Sequence, residues 1–146
     1  HQLGIFEAGI SRKDEMKKLV EVIQPTIGIF TNIGSAHDEG FNSRKEKIAE
    51  KLRLFSTAKT LIYCKDYEEI DEEINLLLKQ INPKIKLIGW SFREEGEFKV
   101  EVINQGNSAT LKTNWKGSDI AVEIPFIDEA SIENATHTLF SILKIN

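Results

Sequence analysis

The sequence predicts an α/β protein, with a mainly parallel sheet, flanking helices and a small antiparallel β meander. Three observations predict it. Through the first half, short apolar runs alternate with stretches of helical periodicity. After residue 95 the pattern changes to strict alternation of apolar and polar positions. A single helical apolar stripe then closes the chain.

The elements follow in order. Residues 4–8 are a short apolar run, read as a first strand that ends on Glu7. Ser11 with Asp14 fits a capping box, and Met16, Leu19, Val20 and Ile23 recur at helical spacing until Pro25. Residues 27–30 are the second strand, followed by a polar loop from Thr31 to Asn42 with Gly34 and Gly40 as turn formers. Ser43 and Glu46 form a second capping box, opening a helix with Ile48, Leu52, Phe55 and Ala58 inward. Residues 60–64 are the third strand. Asp66 and Glu69 are expected to cap a third helix carrying Ile70, Ile74, Leu77, Leu78 and Ile81, stopped by Pro83. Residues 85–89 are the fourth strand.

Strands joined through helices read as right-handed βαβ units. Phe98, Val100 and Val102, then Ala109, Leu111 and Thr113, then Ile120, Val122 and Ile124 make the meander. Gly106-Asn107 and Lys116-Gly117 sit at its turns, and Pro125 closes it. Ile132, Ala135, Leu139, Ile142 and Leu143 line the last helix. One domain is expected over 1–146, divided into a parallel part (1–95), antiparallel strands (96–126) and a closing helix (127–146).

Composition narrows the function classes. The 146 residues are 40% hydrophobic and 29% charged, which argues against disorder and low complexity. A net charge of −4 with mixed signs argues against a dedicated nucleic-acid binder. The lone Cys64 excludes an internal disulfide. No apolar run approaches the ~20 residues of a membrane helix, and no signal peptide is visible, so a cytoplasmic domain is expected. His1 at the start and an apolar helix running to Asn146 read as a piece of a longer polypeptide.

Ligands of parallel sheets bind beyond the carboxyl ends of the strands. Glu7 stands at such an end, either solvated or holding a cation. Thr31, Asn32 and His37 occupy the next loop, and His37 with Glu7 offers an imidazole and a carboxylate suited to a divalent ion. Lys51 falls inside the apolar arc of its helix, as does Lys47 one turn earlier. It is either a snorkelling stem or an amine whose depressed pKa permits chemistry on its nitrogen. Asn134 either caps the last helix or binds a ligand. No G-x-x-x-x-G-K-[ST] loop is present, so the 146 residues alone are not expected to bind a nucleoside triphosphate in the P-loop manner.

Several of these residues also carry a resemblance. Glu7-Ala8-Gly9-Ile10, Glu15-Met16, Pro25, the run Thr31-Asn32-Ile33-Gly34-Ser35-Ala36-His37-Asp38-Glu39-Gly40-Phe41-Asn42-Ser43, and Ile48-Ala49-Glu50-Lys51 resemble the central, ATP-binding domain of the Mur ligases. The likeness is dense over residues 4–55 and returns near Pro125 and Asn134. Ala36 before His37 and Glu39-Gly40-Phe41 after it look most like the D-alanyl-D-alanine-adding branch, MurF.

The resemblance implies a fragment of an ATP-dependent amide ligase of peptidoglycan precursor synthesis. The amino- and carboxy-terminal domains of the same chain and the P-loop would lie outside it. It implies magnesium ligation by Glu7 and His37 and carbamylation of Lys51, whose new oxygens would face the metal. It implies that Thr31 and Asn32 line the nucleotide pocket and that Asn134 contacts adenine. The substrates implied are UDP-MurNAc-tripeptide and D-alanyl-D-alanine, joined through an acyl phosphate. Ala130 and Ser131 depart from the His-Asn pair that the family often carries before this asparagine. Another Mur ligase, a folylpolyglutamate synthase, or a non-catalytic α/β binding module are the alternative readings.

Overall fold

A computed structural model describes residues 3–34 and 40–145 of the chain. Helix α1 (Glu15–Ile23) leads into strand β1 (Ile27–Phe30). Helix α2 (Arg44–Leu52) tightens into a 3₁₀ turn (Arg53–Phe55) before β2 (Thr60–Cys64). Helix α3 (Glu68–Glu73) passes through a π-helical stretch (Ile74–Leu78) into a last turn, α4 (Lys79–Ile81). Then come β3 (Lys86–Trp90), the meander β4 (Val100–Gln105), β5 (Ser108–Trp115) and β6 (Ser118–Ile124), and the long helix α5 (Glu129–Ile145).

The first sheet has the order β1-β2-β3 and is parallel throughout. β2 is central and every one of its residues is buried, which is why Thr60–Cys64 reads as a continuous apolar run rather than an alternating one. Its side chains divide between two cores. Leu61 and Tyr63 join Met16, Phe30, Ile48, Leu52, Ile70, Ile74 and Leu78, beneath the helices. Ile62 and Cys64 join Ile88, Trp90, Val100, Leu111, Ile124, Leu139 and Phe140, under the meander and α5. Each such fully buried side chain contributes about 1.5–3 kcal/mol.

The meander is antiparallel, and both of its turns contain backbone in the left-handed region. Gly106 has φ 66, and Lys116-Gly117 has φ 52 and 85, the two positive values that a type I′ hairpin turn requires. The meander reaches the parallel sheet through Ser91, which bonds to Phe98 and Val100.

Three local expectations are corrected. Residues 4–8 form no strand: Ile5 is 89% exposed, and only Ala8 and Ile10 reach the first core. Apolar character supplies burial, but a strand exists only beside a hydrogen-bonded neighbour, and among the described residues β1 pairs with β2 alone. At α1, Asp14 is not the box partner of Ser11. The Glu15 carboxylate instead accepts the N–H groups of Ser11 and Arg12 at 2.8 and 3.0 Å. At α3, Asp66 does not cap the helix, because its carboxylate is taken by the Ser91 hydroxyl and the Phe92 N–H.

The box at α2 forms. Ser43 Oγ accepts the Glu46 N–H at 3.1 Å, and Glu46 reaches back to the Asn42 N–H at 2.8 Å.

Candidate functional site

The carboxyl ends of the three parallel strands release Thr31 after β1, Lys65-Asp66-Tyr67 after β2 and Ser91 after β3. Helix α2 faces the first of these loops. Its Ser43 cap fixes where the helix starts, and that start places Lys47 and Lys51 one turn apart on the face turned to residues 31–34.

Lys51 is half-buried. Its Nζ lies 5.0 Å from the centroid of the Phe30 ring and donates to the Asn32 carbonyl at 3.3 Å. Burial lowers its pKa, and the neighbouring charge of Lys47 lowers it further. A lysine so placed holds its proton less firmly and presents more free amine, the form that reacts with an electrophile. Lys47 is buried to 3% exposure and donates to the Gly34 carbonyl at 2.9 Å.

Thr31 is half-buried and Asn32 exposed on the same loop. Lys51 and Asn32 are therefore brought together. Glu7 is not brought to them: it lies exposed in the segment without regular structure before α1. His37 lies outside the described residues, so the expected pairing with Glu7 has no structural counterpart among them.

Asn134 is exposed in the second turn of α5 and does not cap it. The cap is Asp128, whose carboxylate accepts the Ser131 N–H at 2.9 Å.

Among the described residues no three His, Cys, Asp or Glu side chains gather as a metal site. Lys51 as an ammonium is a donor and repels a cation. The described residues in this protonation state therefore do not fit a magnesium ion.

Two features escape a sequence reading. Glu50, buried in α2, accepts the Met16 N–H at 3.3 Å and pairs with Arg53 at 3.3 Å. The i,i+3 spacing of Glu50 and Arg53 is its only local signal. The second is a polar chain under α5. Tyr67 donates its hydroxyl to Glu133 at 2.6 Å, Glu133 faces His137 at 3.7 Å, and the Trp90 indole N–H donates to His137 Nδ1 at 3.2 Å. The i,i+4 spacing of Glu133 and His137 was its available signal.

A cavity of about 240 Å³ opens beside Tyr63, Lys65, Gly89, Ser91 and Lys99, and holds none of the residues expected at the site.

Comparison with known proteins gives this arrangement a lineage. The chain is 26% identical over 148 residues to the UDP-N-acetylmuramoyl-tripeptide–D-alanyl-D-alanine ligase of Rickettsia prowazekii, covering 97% of this chain and 32% of that protein. It is 38% identical over 56 residues to the ligase of the same name from Treponema pallidum, covering 38% of this chain and 12% of that protein. The chain thus spans a third or less of the relatives it matches. In fold it resembles the crystal structure of MurF ligase from Thermotoga maritima in complex with ADP, with a TM-score of 0.71 at 16% identity, over 92% of this chain and 31% of that one. The model of the Mur ligase middle domain matches residues 1–142, and the chain belongs to that family.

Proposed function

We propose that the protein carrying this domain is an ATP-dependent carbon–nitrogen ligase of peptidoglycan precursor synthesis, adding D-alanyl-D-alanine to UDP-MurNAc-tripeptide. The observation that carries the reading is the likeness to the Rickettsia prowazekii ligase along 97% of the chain. Residues 1–146 are then part of the central domain, with a parallel part (1–95), antiparallel strands (96–126) and a closing helix (127–146).

In this reading the tripeptide carboxylate takes the γ-phosphoryl group of ATP. The amine of the dipeptide then displaces phosphate from the acyl phosphate. The activation is needed because a free carboxylate is a poor acyl donor in water. Thr31 and Asn32 line the nucleotide pocket, and Asn134, exposed on α5, contacts adenine. Glu7 and His37 would hold magnesium, a set that the described residues do not assemble, since Glu7 lies exposed. Lys51 would join them once carbamylated: the amine adds to CO₂, loses a proton, and becomes an anionic oxygen donor. Its half-buried position and weakened hold on its proton support that step. A bound magnesium would offset negative charge during the transfer.

Among the described residues no helix is long and apolar enough to cross a membrane. The ligase reading, which consumes ATP, supports a cytoplasmic enzyme. The test is phosphate release by the full-length protein with ATP and UDP-MurNAc-tripeptide, with and without D-alanyl-D-alanine. Release that depends on the dipeptide is expected. Release only with other amines or with folates would assign another member of the superfamily. No release from folded protein would favour a non-catalytic module.

A further inference from the structure

The polar chain under α5 joins two elements that meet nowhere in sequence. The Tyr67 hydroxyl, from the turn after β2, donates to Glu133 Oε2 at 2.6 Å. The Asn32 side chain, from the loop after β1, approaches the same hydroxyl. Glu133 precedes Asn134 directly on α5. Tyr67 thus links the loop of Asn32 to the turn of α5 in which Asn134 follows Glu133.

The far end of the chain sets Glu133 in place. Indole N–H is only a donor, so His137 Nδ1 accepts it from Trp90 at 3.2 Å. The other ring nitrogen, Nε2, is turned toward Glu133 Oε1 at 3.7 Å. That separation is too long for a hydrogen bond, and both atoms are buried with no other partner. Glu133 is therefore held firmly through Oε2 and only loosely through Oε1. Burial works to raise the Glu133 pKa, but the nearby His137 ring and the Tyr67 hydroxyl outweigh it and leave the carboxyl below its usual range. The same contact pushes the Tyr67 phenol up to about 12, so the donor keeps its proton at any physiological pH.

We infer that Tyr67 and Glu133 are positioning residues of the nucleotide site, tying the Asn32 loop to the helix turn that carries Asn134. The inference rests on the ligase reading above and adds two residues to its specificity.

The test uses the full-length protein and a fluorescent ADP analogue. Tyr67→Phe and Glu133→Ala should each weaken analogue binding about tenfold. The KM for the dipeptide should stay within twofold in both. Glu133→Gln, which keeps an oxygen acceptor for Tyr67, should recover most of the loss. The double variant Tyr67→Phe/Glu133→Ala should be no worse than Glu133→Ala alone, because both remove one bond. Amide hydrogen exchange in residues 31–34 should quicken in Tyr67→Phe, a readout independent of nucleotide and intact even if Glu133→Ala fails to fold. Analogue binding and exchange unchanged in Tyr67→Phe would overturn the inference alone. No analogue binding by the unsubstituted protein would overturn the ligase reading and this inference with it.

Discussion

Lys47 and Lys51, one helical turn apart, hold the two ends of a single short loop segment. The Lys47 ammonium sits 2.9 Å from the Gly34 carbonyl and that of Lys51 3.3 Å from the Asn32 carbonyl. The loop after β1 is therefore fastened from below by two cations, and the charge of Lys47 disfavours the charged form of Lys51. The pair couples loop geometry to the chemistry open to Lys51.

Replacing Lys51 tests the carbamate directly. In the full-length protein, Lys51→Ala should lower dipeptide-dependent phosphate release by about 100-fold, in the range seen when groups that tune a metal site are removed. Formate or acetate should restore part of it, since a short carboxylate can stand where the carbamate oxygens stood. Unchanged release in Lys51→Ala would rule the carbamate out.

The lowered pKa of Lys51 has a signature in stability. Its folded value lies below the ordinary 10.5, so between that value and 10.5 the unfolded chain binds more protons. Stability contributed by this site should rise with pH across that window, and the cost of holding the charge is fully present below it. Urea unfolding of this domain and of Lys51→Met, compared from pH 7 to 10.5, should show a steeper upward slope with Lys51 present. Parallel slopes would mean that Lys51 titrates as a surface lysine.

Gly28 in β1 packs under Phe55. A methyl group there would lie 2.7 Å from Phe55 Cε1, against a buried ring. Gly28→Ala should cost about 1–3 kcal/mol from overpacking. Thermal melting would register the loss, and pairing the change with Phe55→Leu should recover part of it.

Asp128 caps α5, the helix that carries Glu133, Asn134 and His137. The Ser131 N–H holds its carboxylate below the usual 3.8. Its contribution is present above pH 3.8 and is lost as pH falls through the lowered folded value. Asp128→Ala should lower the melting temperature at pH 7, and Asp128→Asn should retain most of it, since Asn caps comparably. The gap between the native protein and Asp128→Ala should close in acid.

What the sequence makes legible is what local pattern encodes. β2 is visible because a strand buried on both faces leaves a continuous apolar run, and α2 because Ser43 and Glu46 stand at capping distance. The inward turn of Lys51 is visible on a helical wheel. Its weakened hold on a proton is not, since that depends on burial and on Lys47 as folded. Residues 4–8 mislead because their pattern matches a strand while pairing is decided elsewhere. Asp66 misleads because Ser91, distant in sequence, competes for its carboxylate. The Trp90–His137 bond spans 47 residues and has no local trace at all.

The division of β2 between two cores has a consequence for sequence drift. Leu61 and Tyr63 answer to one side of the sheet, and Ile62 and Cys64 to the other. A volume change beneath the helices, at Ile48 or Leu78, falls in a different buried cluster from one beneath the meander, at Leu111 or Phe140, and Tyr67 alone among the named side chains packs against both. Substitutions on opposite sides should then add in their effects, whereas neighbours on one side should compensate or conflict. Each side can thus be repacked in turn while the backbone of β2 stays fixed. The loop ends beyond Phe30, Cys64 and Trp90 keep their places while the interior that supports them is rewritten.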